Sequence, residues 1–145
     1  MSGGFIGTYE NSVHKMRVII PAQLKSKFSV ASKQTVICTT GSDNSIEIYP
    51  LDKWNELQDK KDTCSEAEKR IIDIKGWFAI DEQKLEGPGR IRLNEELMEH
   101  AGITDSVIIK GERSFISLWS PENYQKVKVA KIKILNSNSS IKEEA

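Results

Sequence analysis

Four basic side chains stand at matching places in two short stretches of this 145-residue chain. Lys15 and Arg17 lie in "HKMRVIIPAQL" (residues 14–24), and Arg90 and Arg92 lie in "GPGRIRLNEEL" (residues 87–97). An arginine carries its donors in a rigid planar fork that fits phosphate oxygens or the O6/N7 edge of guanine. The chemistry open to such a set is therefore recognition of an anionic polymer: phosphates fix position, and base edges in the major groove give specificity. His14, beside Lys15 and Arg17, can add a hydrogen bond to a phosphate. Glu86 and Gly89 precede Arg90 by four residues and by one. The same residue types also admit a structural role, in which each arginine pairs with a nearby acid such as Glu86 or Glu10 and fixes its turn.

Catalysis finds little support. No Ser-His-Asp, Cys-His or metal-ligand spacing is legible, and two histidines leave few general bases near neutral pH. "GPG" at 87–89 is not followed by the Gly-Lys-Ser/Thr of a phosphate loop. Cys38 and Cys64 have no second Cys or His at ligand spacing, so reduced thiols are expected, with neither metal nor cofactor. Cys38 falls in an apolar strand, where a thiol is inert. Cys64, ahead of a helix start, is the better nucleophile of a poor pair.

Net charge is zero, from 21 basic and 21 acidic residues, which excludes a wholly basic nucleic-acid binder. The charge is uneven, however. Residues 1–30 hold four Lys/Arg against one Glu, residues 31–110 hold eleven against sixteen acids, and residues 111–145 hold six against four. An anion-binding surface must then be local. No apolar run approaches the roughly 20 residues of a membrane span, and no secretory signal is read, so the cytoplasm is expected.

The elements that position the arginines repeat. "TVICTTGSDNSIEIYPLDKWNEL" (35–57) aligns with "SVIIKGERSFISLWSPENYQKV" (106–127). The offset falls from 73 between Arg17 and Arg90 to 70 between Tyr49 and Trp119. Each copy reads β-α-β-β-α. "RVII" and "RIRL" are β-branched strand runs. Pro21 and Asn94 open short helices, and Gly102 closes the second. Hairpins turn at "TGSDN" and "KGER". Helices are expected at about 21–28, 51–60, 65–75, 94–101 and 121–127. The one at 65–75 starts from a Ser65/Glu68 capping box, and "FAIDEQKL" alternates like a strand. Trp54, Tyr49, Trp119 and Tyr124 occupy equivalent places and are read as packing residues, since "DKWNEL" is too acidic for base stacking. His100 is read as a helix-end residue.

These residues resemble the MraZ family, bacterial regulators of the cell-division and cell-wall gene cluster built from two AbrB-like units. The resemblance covers about residues 4–127. It is carried by "GTYENSVHKMRVIIPAQL", "IEIYPLDKWNEL", "LEGPGRIRLNEEL" with "HAGI", and "ISLWSPENY". It implies a mainly β fold with short α-helices, in which two pseudo-symmetric swapped-hairpin β-barrel units share one compact domain. The expected division is a first unit at 5–58, a linker helix at 59–78, a second unit at 79–128 and a polar tail at 129–145. It further implies a ring-like homo-oligomer that binds repeated sites in double-stranded promoter DNA of its own operon, as a repressor associated with the nucleoid. Lys15, Arg17, Arg90, Arg92 and His14 would contact DNA, with Glu86 and Gly89 supporting the second loop. The family pattern, Asp-x-x-Gly-Arg, is kept conservatively by Glu86, Gly89 and Arg90. In the first copy Val13 and Met16 stand in place of Asp and Gly, and a remodelled loop is expected there. Two other classes stay open: an oligomeric protein-interaction module of the same fold with weakened DNA binding, and a hydrolase using Cys38 or Cys64.

Overall fold

The computed structural model describes residues 4–137. Two similar runs of elements follow one another. The first is β1 (Thr8–Ser12), β2 (Arg17–Ile19), α1 (Ala22–Lys25), β3 (Thr35–Gly41), β4 (Ser45–Pro50) and α2 (Leu51–Asp59). After α3 (Glu66–Phe78) comes the second: β5 (Gln83–Lys84), β6 (Arg90–Arg92), α4 (Glu95–Ala101), β7 (Ser106–Gly111), β8 (Ile116–Trp119) and α5 (Pro121–Ser137). The β-α-β-β-α order expected of each copy is present, with a further strand, β1 or β5, ahead of it.

Local chemistry sets several boundaries. Asn94 caps α4 by accepting from the Leu97 N–H at 2.8 Å, and Gly102 ends it in the left-handed region at φ 65°. Ser65 caps α3 by accepting from the Glu68 N–H at 3.2 Å, and its hydroxyl donates to the Glu68 carboxylate at 3.0 Å. Three expectations are corrected. The helix at 21–28 stops at Lys25, because Ser29 caps a new 3₁₀ turn at Val30–Ser32 instead of continuing the first helix. The strand in "FAIDEQKL" shrinks to Gln83–Lys84, with Ile80 and Leu85 only touching the chain beside it through single backbone bonds to Cys38 and Gln34. α5 runs on to Ser137, well into the expected polar tail, since "KVKVAKIKIL" holds no Gly or Pro and lays Val127, Ile132 and Leu135 beside the sheet. Residues 138–145, the rest of that tail, lie outside the described residues. Helix also covers more residues than strand among the described residues, with α3 and α5 the longest elements.

The strands of the two copies interleave. Six of them form an antiparallel sheet in the order β1-β7-β8-β4-β3-β5, curled into a half-barrel, and β2 pairs with β6 in a separate antiparallel ribbon. Exchanging each strand for its copy (β1 with β5, β3 with β7, β4 with β8) leaves the sheet order unchanged, which is a pseudo-two-fold axis. The registers fix where it passes. In the ribbon Val18 faces Ile91, and in the sheet Glu47 faces Ser117. Those partners are 73 and 70 positions apart, the two offsets of the sequence repeat. Neither copy forms the sheet alone: β1 of the first pairs with β7 of the second, and β5 pairs back with β3.

The core lies between the concave sheet, the ribbon and the short helices. Val18, Ile20, Leu24, Ile91, Leu93 and Leu97 meet Val36, Ile46, Ile48, Val107, Ile109, Ile116 and Leu118 in one cluster. α2, α3 and α5 cover parts of the other face of the sheet, so β3 and β4 are buried on both sides.

Candidate nucleic-acid interface

A two-residue alternation decides which way the arginines of the ribbon point. Val18 and Ile91 face the core and are 1% exposed, so their neighbours face outward. Arg17 lies directly opposite Arg92, and Ile19 directly opposite Arg90. Arg17, Ile19 and Arg92 are exposed and Arg90 is half-buried. Three guanidinium groups from stretches some 70 residues apart therefore share one face. Like charges directly opposite on a sheet repel. No ion pair among the described residues includes one of these arginines: the four that occur all use lysine. The pairing of an arginine with Glu86 or Glu10 is not found. Among the described residues the one hydrogen bond made by these guanidinium groups is from Arg17 Nη1 to the Lys15 carbonyl, at 3.4 Å.

The turns leading into the ribbon differ. Before Arg90 the chain crosses a three-residue loop, Gly87-Pro88-Gly89, closed by the Glu86 N–H donating to the Arg90 carbonyl at 3.0 Å. Gly89 has φ 112°, and a Cβ there would approach the Ile20 carbonyl oxygen at 3.1 Å. Before Arg17 the loop has two residues, Lys15 and Met16, closed by reciprocal backbone bonds between His14 and Arg17 at 3.0 and 2.9 Å. Both loop residues take positive φ, 52° and 62°, which is the geometry of a type I′ turn without its usual glycine. Met16 thus takes a positive φ, as Gly89 does before Arg90, and the first loop is one residue shorter than the second.

That lost residue changes the correspondence ahead of the arginine. His14, not Val13, stands in the place of Glu86, and Val13 corresponds to Leu85. Both Val13 and Leu85 are partly buried against the core, which a carboxylate would not tolerate. The equivalence continues upstream. The Asn11 amide donates to the Ile19 carbonyl at 2.7 Å, while Gln83 donates to the Arg92 carbonyl and accepts from the Arg92 N–H, both at 2.8 Å. These two amides fasten the outer edges of the ribbon to its flanks. Sequence reasoning passed over Asn11, Gln83 and Ile19. Their signal is present but weak: an amide six or seven residues before each arginine, and one apolar residue where alternation calls for an outward side chain.

His14 and Lys15 are exposed at the tip of the first turn. Asn11, Ser12, His14, Arg17, Ile19 and Arg90 line a groove of about 540 Å³ along that side of the ribbon. The other residues considered above lie elsewhere. Tyr49 stacks on Phe115 at 5.0 Å and meets Trp54 edge-on at 5.6 Å, and Trp119 is buried with its indole N–H on Ser117 Oγ at 2.8 Å, so these aromatics pack. His100 Nε2 lies 3.2 Å from the Gly41 carbonyl. Cys38 is fully buried, and burial pushes its thiol up to about 12, which makes it a poor nucleophile. No group of acidic, Cys or His side chains suited to a metal ion occurs among the described residues.

The family model described as "MraZ protein, putative antitoxin-like" matches the chain twice, at residues 5–75 and 79–144. A "Transcriptional regulator MraZ" of Chlorobium luteolum is 31% identical over 135 residues, covering 86% of this chain and 88% of that one. Proteins of the same name from Herpetosiphon aurantiacus (30%, covering 85% of each chain) and Clostridium beijerinckii (31%, covering 83% and 84%) are similar to it as well. The two matched stretches each contain one arginine-led strand of the ribbon, and with relatives this alike over most of their length the chain belongs to the MraZ family.

Proposed function

We propose that this protein is a DNA-binding transcriptional regulator that sets the outer face of the β2–β6 ribbon into the major groove. One observation carries the reading: Arg17 and Arg92 face each other across the ribbon, and no ion pair among the described residues includes either. An arrangement that repels itself in the free protein is relieved by a polyanion. A two-stranded ribbon also has the dimensions the major groove admits. Lys15 and His14 at the turn then reach the phosphate backbone, while Arg17, Arg90 and Arg92 face base edges. The relatives named as transcriptional regulators support the same reading. Gene control rather than catalysis follows, in the cytoplasm and at the nucleoid. No described helix is long and apolar enough to cross a membrane.

The finer reading is a repressor of its own cell-division and cell-wall operon, acting as a ring-like homo-oligomer on repeated promoter sites. Exposed apolar side chains support self-association. Trp77 is 83% exposed on α3 beside Ile71 and Ile74, and Ile134 and Leu135 are exposed on α5. Such clusters mark interaction surfaces. Tethered ribbons would then add through high effective concentration. Light scattering is expected to give an assembly well above 16.4 kDa.

Zero net charge favours the second reading, an oligomeric protein-interaction module with weak DNA binding. Anisotropy titrations of DNA from upstream of the protein's own operon, at two salt concentrations, separate the two. Saturable, sequence-dependent binding that weakens steeply with salt supports the regulator. Weak, sequence-blind binding supports the module. Arg17→Ala combined with Arg90→Ala leaving affinity unchanged in an intact assembly would remove the ribbon from the reading.

A further inference from the structure

The pseudo-two-fold axis makes the outer face of the ribbon nearly self-matching: Arg17 corresponds to Arg90, and Ile19 corresponds to Arg92. That second pair breaks the symmetry. Where one copy presents a guanidinium, the other presents a branched alkyl group, 40% exposed, directly opposite Arg90 and lining the groove with Asn11, His14 and Arg17. A scattered surface isoleucine needs no explanation. This one is not scattered, because it holds one of the four outward positions of a ribbon whose other three are arginine. Its backbone is fixed as well, by the Asn11 amide on its carbonyl. An apolar side chain held rigidly among base-reading arginines has one complementary feature in the major groove, the C5-methyl of thymine.

Resting on the DNA-binding reading, we infer that Ile19 is a specificity-determining residue that packs on a thymine methyl, so each ribbon reads its site with a direction. The Ile19 half of the face selects an A·T pair, and the Arg92 half selects guanine. The contact costs little in charge repulsion, since Ile19 also spares Arg90 a like-charged partner of the kind Arg17 has in Arg92.

The test uses a specifically bound operator fragment in which each thymine is replaced in turn by uracil, which deletes only the methyl group. The full-length protein is expected to lose about four-fold in affinity at one thymine position per ribbon site, the effect of one buried carbon. Ile19→Ala is expected to bind uracil and thymine there equally, and Ile19→Val to keep the preference, both with unchanged assembly size and unchanged salt dependence. If the protein binds specifically but discriminates uracil nowhere, or if Ile19→Ala discriminates as the parent does, the inference is wrong while the DNA-binding reading stands. If Ile19→Ala breaks the assembly, Ile19 belongs to a subunit contact and the inference is again wrong. If no fragment is bound specifically, both readings fall together.

Discussion

Lys75→Met is expected to destabilise the protein far more than its distance from the ribbon suggests. Lys75 comes from α3 and reaches Glu47 on β4, with Nζ 2.8 Å from Oε1. The ammonium also donates to the Tyr49 hydroxyl at 3.0 Å, and that hydroxyl donates to the same Glu47 oxygen at 2.7 Å. The Glu47 side chain is 6% exposed and that of Lys75 18%. Burial raises the Tyr49 hydroxyl well above its usual range, and the Glu47 charge and hydrogen bond raise it further, so it stays a neutral donor at any ordinary pH. Replacing the ammonium by a thioether of similar length leaves a buried carboxylate with a single neutral donor.

Breaking a buried pair by removing one partner costs roughly 3–5 kcal/mol, and that is the loss expected. The apolar stem of methionine retains the packing of the lysine stem, so the loss is electrostatic rather than steric. Removing the second charge is expected to recover much of it: the Lys75→Met/Glu47→Gln double variant should fall within about 2 kcal/mol of the parent, because desolvation of two ions is then also avoided. Urea unfolding followed by tryptophan fluorescence, at one fixed protein concentration so that any self-association contributes equally, measures all three. A loss below about 1 kcal/mol for Lys75→Met, or a double variant no more stable than the single, would refute the argument.

Four further outcomes are expected. Lys15→Asn with Met16→Gly gives the first turn the pair a type I′ geometry favours, and should raise stability by about 1–2 kcal/mol in the same unfolding assay. Arg90→Ala should lose more operator affinity than Arg17→Ala, on the order of 1–3 kcal/mol, because Arg90 is half-buried and held over a glycine-built loop while Arg17 follows a strained one. Iodoacetamide at pH 8 should label Cys64 in the folded protein and Cys38 only after unfolding: with its thiol pushed up to about 12, Cys38 carries almost no thiolate below that pH. Val13→Asp should cost about 1–3 kcal/mol of stability by burying a polar group, and His14→Asp little, because Val13 packs on the core and His14 is the exposed residue opposite Arg17.

The strands β2, β3, β4, β6, β7 and β8, the hairpins and the starts of α3 and α4 were legible because their determinants are local: β-branched runs, turn residues, a capping-box pair, an Asn cap. The duplicated offsets were legible too, and they reappear as the registers at Val18–Ile91 and Glu47–Ser117. What stayed hidden depends on partners distant in the chain. β1 is a strand because β7 offers it a free edge, and "TYENS" alone does not announce that. The strand expected in "FAIDEQKL" (78–85) is short because β3 pairs with only two of its residues. The exchange of His14 for Val13 at the bridge to Arg17 follows from a one-residue shortening of a turn. An ungapped match of the two arginines cannot detect it. The pairing of Arg17 with Arg92 was likewise invisible in either copy, since it exists only where the two copies meet.

That meeting explains why the two arginine-led strands occupy one chain. Arg17 and Arg92 face each other across adjacent strands, where opposite Cβ atoms are about 5 Å apart. At an exposed position the repulsion between them amounts to about 1 kcal/mol or less, screened by salt. Directly beneath lie Val18 and Ile91, both 1% exposed, and burying each contributes about 1.5–3 kcal/mol. Burial wins, so the ribbon stays closed in the free protein with its charges already gathered. Loose arginines would have to be collected by DNA at an entropic cost for every side chain and loop involved. Here the apolar layer bears that cost during folding, and on the proposed reading the repulsion above it is what DNA binding would relieve. Duplication supplies the two strands, and the interleaved sheet forces them together. Among the four outward positions only Ile19 against Arg92 differs in residue type, and on the proposed reading that difference gives the ribbon a direction along its site.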